Sequence, residues 1–120
     1  MQETPIPLLA KAPVYGLQVH IGRSGLSIGD EAQVTLDAER KIIVTAMVRQ
    51  RRFGVFKLSR LRQLGHLGPV VDRILLPHLE SGQDLRVRVV GITPEHLSGD
   101  RGPEVFVSVW GAPGKFRTRP

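Results

Sequence analysis

A chain of 120 residues is the size of one ordinary domain, and its 41% hydrophobic content, mostly Leu, Ile and Val, is enough for a single aliphatic core. The net charge of +6 favours a polyanionic partner. The absence of cysteine excludes a disulfide scaffold and a thiolate metal site and fits a reducing cytoplasm. No run of about 18 apolar residues suits a membrane span, no amphipathic basic helix suits a membrane surface, and residues 1–13 lack the pattern of a secretory signal.

Residues 1–12, with Pro5 and Pro7, read as an extended N-terminal arm. From Val14 to Ile21 the side chains alternate, with Tyr15, Leu17, Val19 and Ile21 on one side, and this period of two predicts the first strand. Gly22, Ser24 and Gly25 end it. Ala32, Val34 and Leu36 mark a second strand over 31–36. Asp37–Arg40 is a short polar link to the β-branched third strand, Lys41–Val48, and the pair reads as a hairpin. Gln50–Arg52 reads as a second polar connection and Phe53–Leu58 as a fourth strand.

The period then changes. Ser59 is suited to cap a short helix over Arg60–Leu64, stopped by Gly65. Pro69 suits the first turn of another helix, whose Val70, Val71, Ile74, Leu75 and Leu79 form a core-facing stripe, with Pro77 an awkward interior residue. Leu85–Ile92 and Glu104–Trp110 alternate again as the last two strands. In the first of these, Arg86 and Arg88 back an apolar face. The expected fold is α+β, mostly strand: a small six-stranded β-barrel or bent sheet, with one or two helices inserted after the fourth strand. The domain is expected to span 13–111, followed by a basic tail over 112–120 with Lys115, Arg117 and Arg119.

No catalytic constellation stands out. His20, His66, His78 and His96 share no metal-ligand spacing. Asp30–Glu31, the one adjacent acidic pair, follows a turn glycine. The serines lack a nucleophile elbow, and no phosphate-cradling glycine loop is present. A non-enzymatic protein without metal or cofactor is therefore expected. Between Arg49 and Arg62 lie six bases and no acid: Arg49, Arg51, Arg52, Lys57, Arg60 and Arg62. Crowded guanidinium groups repel one another, and a planar guanidinium grips phosphate oxygens bidentately, so the segment points to a phosphodiester backbone. The plainer alternative is a solvated basic face. Phe53, Phe56, Tyr15 and Trp110 are candidates to stack bases, against the alternative that an alternating aromatic belongs to the core. His20 and Arg23 lie at the end of the opening strand and join the binding set.

Read in order, Val14-Tyr15-Gly16-Leu17 with Gly22, Gly29-Asp30-Glu31 with Val34 and Leu36, Ile42-Ile43-Val44, Phe53-Gly54-Val55-Phe56-Lys57, and Val107-Ser108-Val109-Trp110-Gly111 resemble the strand pattern of the HIRAN domain family. The resemblance covers most of 14–111. It implies a small β-barrel that binds single-stranded DNA, at its 3′ end in some members, alone or beside a DNA-processing protein. Lys57 fits a basic position of that pattern. Gln18 and Val19 replace the family's Arg-Tyr pair, and residues 37–40 shorten its Asn-Pro stretch. Single-stranded nucleic acid, DNA in preference, is thus the expected partner in the cytoplasm. The alternative is a protein-interaction module whose barrel has lost nucleic-acid binding.

Overall fold

The structure is a computed structural model that describes residues 6–52 and 56–111, with the backbone alone described at 50–52 and 56–58. Six strands form one antiparallel sheet in the order β1-β6-β5-β2-β3-β4. They are β1 (Ile6–Pro13), β2 (Glu31–Leu36), β3 (Ile42–Arg52), β4 (Phe56–His66), β5 (Arg86–Thr93) and β6 (Glu104–Gly111). Helix α1 (Pro69–Glu80) follows β4, and a single-turn helix α2 (Glu95–Ser98) follows β5. The expected α+β class with a bent sheet holds, and the sheet does not close into a barrel. The segment just beyond β1 meets the edge strand β4, where Tyr15 and His66 exchange backbone hydrogen bonds of 2.8 and 2.9 Å and the Gln18 N–H donates to the Leu64 carbonyl at 2.8 Å.

Alternation builds the core. Val34, Ile42, Val44, Ala46, Val48, Val87, Val89, Val105, Val107 and Val109 occupy every second position of their strands and are buried. Leu75 of α1 closes over this face, with Val71 and Leu79 packed beside it. The apolar stripe predicted for this helix is therefore partly right: Val70 and Ile74 are exposed. Pro77 lies inside the helix without ending it before Glu80.

Four expected elements are corrected. Residues 6–13 are indeed extended, but they belong to the sheet as β1, paired with β6. Proline excludes a helix there without excluding an edge strand, where a missing N–H costs no ladder bond. Val14–Ile21 is not a strand. It makes one bridge at Tyr15 and ends in a 3₁₀ turn at Ile21–Arg23. Finally, Arg60–Leu64 is not a helix but the body of β4, and Gln50–Arg52 is the end of β3 rather than a connection. A bulge explains the misreading: Val44 pairs with Gly65 but Thr45 with Gln63, so Leu64 is an extra residue that shifts the alternation. Ser59 and Gly65, residue types that suit a cap and a stop, frame the segment whose alternation breaks at Leu64, and together they imitate a short helix.

The bulge also brings β4 against the segment after β1. A Cβ on Gly65 would lie 2.2 Å from the Tyr15 carbonyl oxygen, so only glycine fits at this seam. Among the described residues no helix is long and apolar enough to cross a membrane.

Candidate nucleic-acid interface

β3 and β4 run on together after their neighbour stops. The β2 ladder ends at the Ala32–Ala46 pair, whereas β3 and β4 stay paired to Arg52–Phe56. The free part is a two-stranded ribbon of six residues per strand past Ala46, about 20 Å long. The basic segment occupies this ribbon. Arg49 is opposite Ser59, Arg51 opposite Lys57, Val48 opposite Arg60 and Ala46 opposite Arg62.

Directly opposed residues share a face. Arg60 and Arg62 therefore lie on the face of buried Val48 and Ala46, whereas Arg49 shares the opposite face with Met47, Ser59 and Leu61. The bases do not converge on one surface; they line both sides of the ribbon. Arg49 and Arg60 are exposed and Arg62 half-buried. Among the described residues no carboxylate lies within ion-pair distance of any of the three; the ion pairs are Arg40–Glu80 and His20–Glu95. Arg51, Arg52 and Lys57 are located by backbone register only, and Phe53 lies outside the described residues.

The turn carrying His20 and Arg23 packs beside the ribbon. The Arg49 N–H donates to the Ser24 carbonyl at 2.8 Å, and the Arg49 side chain lies against Gly25. Arg23 is exposed two residues from this contact. The turn is held by Glu95 of α2, whose carboxylate accepts from Ile21 N–H at 2.7 Å and Gly22 N–H at 2.9 Å. His20 Nδ1 accepts from the Arg23 N–H at 3.2 Å and lies 3.5 Å from Glu95 Oε1. Burial pushes the Glu95 carboxyl up, but the backbone N–H groups of Gly22, Glu95 and Ile21, with His20 nearby, outweigh it and hold the group below its ordinary 4.5.

Asp72 and Glu80, the first two acids after the basic segment, form no ion pair with Arg49, Arg60 or Arg62. Glu80 pairs with Arg40 in the β2–β3 turn. Asp72 sits in the first turn of α1 with Oδ1 buried and unpartnered. Desolvation raises its pKa against the opposing pull of His66 and Lys41, with Asp37 adding to the rise.

The remaining aromatic candidates separate. Tyr15 is half-exposed, its ring 6.2 Å from that of His66. Trp110 lies on the face of the sheet that α1 does not cover, opposite Arg86, with its indole N–H donating to Ser108 Oγ at 3.3 Å. On this open face a groove of about 590 Å³ crosses β6, β5, β2, β3 and β4, from Trp110 and Arg86 past Gln33 and Thr45 to Met47 and Leu61. Met47 and Leu61, each 53% exposed and directly opposed, are the residues that sequence reasoning missed. The signal available was the alternation of Lys41–Val48 itself, which puts Met47 opposite in sense to Ala46 and Val48. Leu61 was hidden by the helical reading.

No group of three His, Asp or Glu side chains among the described residues is placed to hold a metal ion. No protein-family model, curated protein or solved structure matches the chain.

Proposed function

We propose that the protein is a non-enzymatic module that binds single-stranded nucleic acid, DNA in preference to RNA, in the cytoplasm. The resemblance of its sequence pieces to the HIRAN domain family, apart from the opening Val14–Ile21 piece, which forms no strand, favours a site near a free 3′ end and a DNA-processing protein as companion. The observation that carries the reading is the ribbon. Its described bases Arg49, Arg60 and Arg62 have no carboxylate in reach, while Glu80 and Glu95 are committed elsewhere. Arginines lining both sides of a protruding ribbon suit a flexible strand that wraps it better than a rigid duplex laid on one side. Arg23 extends the positive surface at the ribbon's base.

Fluorescence anisotropy of a labelled single-stranded oligonucleotide at 50 mM salt tests this. Binding is expected to weaken with a log–log salt slope of about −4 if six phosphates are neutralised. No binding at low salt overturns the reading. Arg49→Glu with Arg60→Glu is expected to reduce affinity; unchanged affinity removes the ribbon from the site.

A second reading rests on the edge of the sheet. β4 is an eleven-residue edge strand, paired on one side over most of its length, and such an edge accepts a strand from a partner protein. A pull-down partner retained after nuclease treatment, together with no oligonucleotide binding, would favour it.

A further inference from the structure

We propose that the groove on the open face of the sheet takes an unstacked base of the strand whose phosphates the ribbon holds, with Trp110 as its stacking wall and Glu31 as reader of its amino edge. The inference rests on the nucleic-acid reading above and adds a second, chemically different subsite to it.

Several observations meet here. The groove is large enough for a small planar ligand and is walled by apolar groups at both ends, Trp110 on β6 and the Met47–Leu61 pair on β3 and β4. Met47 and Leu61 are left uncovered by the described residues, although the core is complete on the other face of the same strands. The indole N–H is already bonded to Ser108, so the ring is anchored and needs no hydrogen bond from a ligand. Aromatic stacking of a base is tolerant of sequence and contributes about 1–3 kcal/mol.

Charge decides which part of a nucleotide enters. Glu31 and Asp84 line the groove with one base, Arg86, so the lining has a formal charge of −1 and suits a phosphodiester less well than the rim does. Arg86 lies in the lining opposite Trp110, and further cations stand along the border: Arg88, opposite Glu31 in the ladder, and Arg49, two residues beyond Met47. This arrangement admits a base and keeps its phosphates at the rim. A carboxylate accepts from the exocyclic amino group of cytosine, whereas the corresponding position of thymine is the O4 acceptor and its one donor, N3–H, sits between two carbonyl oxygens, so a cytosine is favoured over a thymine. From β3 to β6 is three strand spacings, about 14 Å, so one short strand reaches both the ribbon and Trp110.

Trp110 is the only tryptophan in the chain, so its emission reports on this groove alone. Oligo-dC is expected to quench it with the same midpoint that anisotropy gives, and to bind about fivefold or more tightly than oligo-dT of equal length. Trp110→Leu should lose about 5- to 150-fold in affinity, while Trp110→Phe retains most of it. Met47→Glu, which leaves Trp110 and Ser108 intact, should weaken binding as well, and Glu31→Gln should erase the preference for dC. Binding by anisotropy without quenching, and with Trp110→Leu as tight as the parent, overturns the groove and leaves the ribbon reading standing. Equal affinity for dC and dT overturns the role of Glu31. Absence of any anisotropy change removes both readings.

Discussion

The two faces of this sheet are built from the same strands and differ in almost every physical respect. On one, valines, alanines and Ile42 at alternate positions are enclosed by the bend of the sheet with Leu67 and, from α1, Leu75 packed against them, and Ile42, Val44, Val89, Val107 and Val109 are fully excluded from water. On the other, the intervening residues are a tryptophan, two exposed aliphatics, arginines and a glutamate around an open groove. The contrast separates what the chain uses to fold from what it keeps in contact with solvent. A residue and its next neighbour on one strand, Ala46 and Met47 for example, belong to different problems: Ala46 contributes to stability, and Met47 has no packing partner that requires it.

Substitutions divide along the same line. Leu75→Ala should cost about 2–5 kcal/mol in chemical denaturation, because the site is enclosed and leaves a cavity. Met47→Ala on the open face should stay within about 0.5 kcal/mol. Equal losses for the two would mean that the open face is packed after all. Gly65→Ala comes next, at about 1–3 kcal/mol, because the new methyl meets the Tyr15 carbonyl, which is backbone and cannot swing away.

A smaller effect is expected at Glu95. Its carboxyl is held below its ordinary value in the fold, so its contribution is present above about 4.5 and is lost as pH falls from there through the lower folded value. Glu95→Gln should therefore lower the melting temperature at pH 7 and converge with the parent in acid; a constant difference down to pH 3 would contradict it. Asp72 has the opposite sign. Its folded pKa is raised above 3.8, so ionisation works against the fold as pH rises through the folded value. Asp72→Asn should melt slightly higher at pH 7 and gain nothing in acid. Smallest is Arg40→Gly. Arg40 has φ of 64° in the β2–β3 turn, a conformation glycine adopts freely, and relief of about 1 kcal/mol is offset in part by loss of the exposed pair with Glu80. Thermal melts resolve the net sign.

The legible parts of the sequence were those where one period ran undisturbed. Strands β2, β5 and β6 and helix α1 follow from alternation or from a stripe behind a proline, and Arg86 and Arg88 were correctly set opposite an apolar face. Failures came where tertiary geometry overrode local pattern. Leu64 is an extra residue in β4, and one inserted residue makes a strand look like a helix. β1 is held by its ladder to β6, a partner nearly a hundred positions away, which no local window contains. The proposed binding residues show the same limit. The crowding of bases was visible as composition, but their division between two faces of a ribbon depends on cross-strand register. The groove, assembled from five strands, has no linear signature at all.

The free edge of β4 has a practical consequence for experiments on the ribbon. An exposed ladder invites a second copy to pair with it, and Arg60 and Arg62 on that strand would face the same charges across such a contact. Neutralising them with alanine removes both the proposed phosphate contact and a guard against self-pairing, so a loss of ligand would be confounded by dimers or fibres. Glutamate at the same positions restores mutual repulsion between copies while opposing the polyanion, which makes charge reversal the cleaner probe.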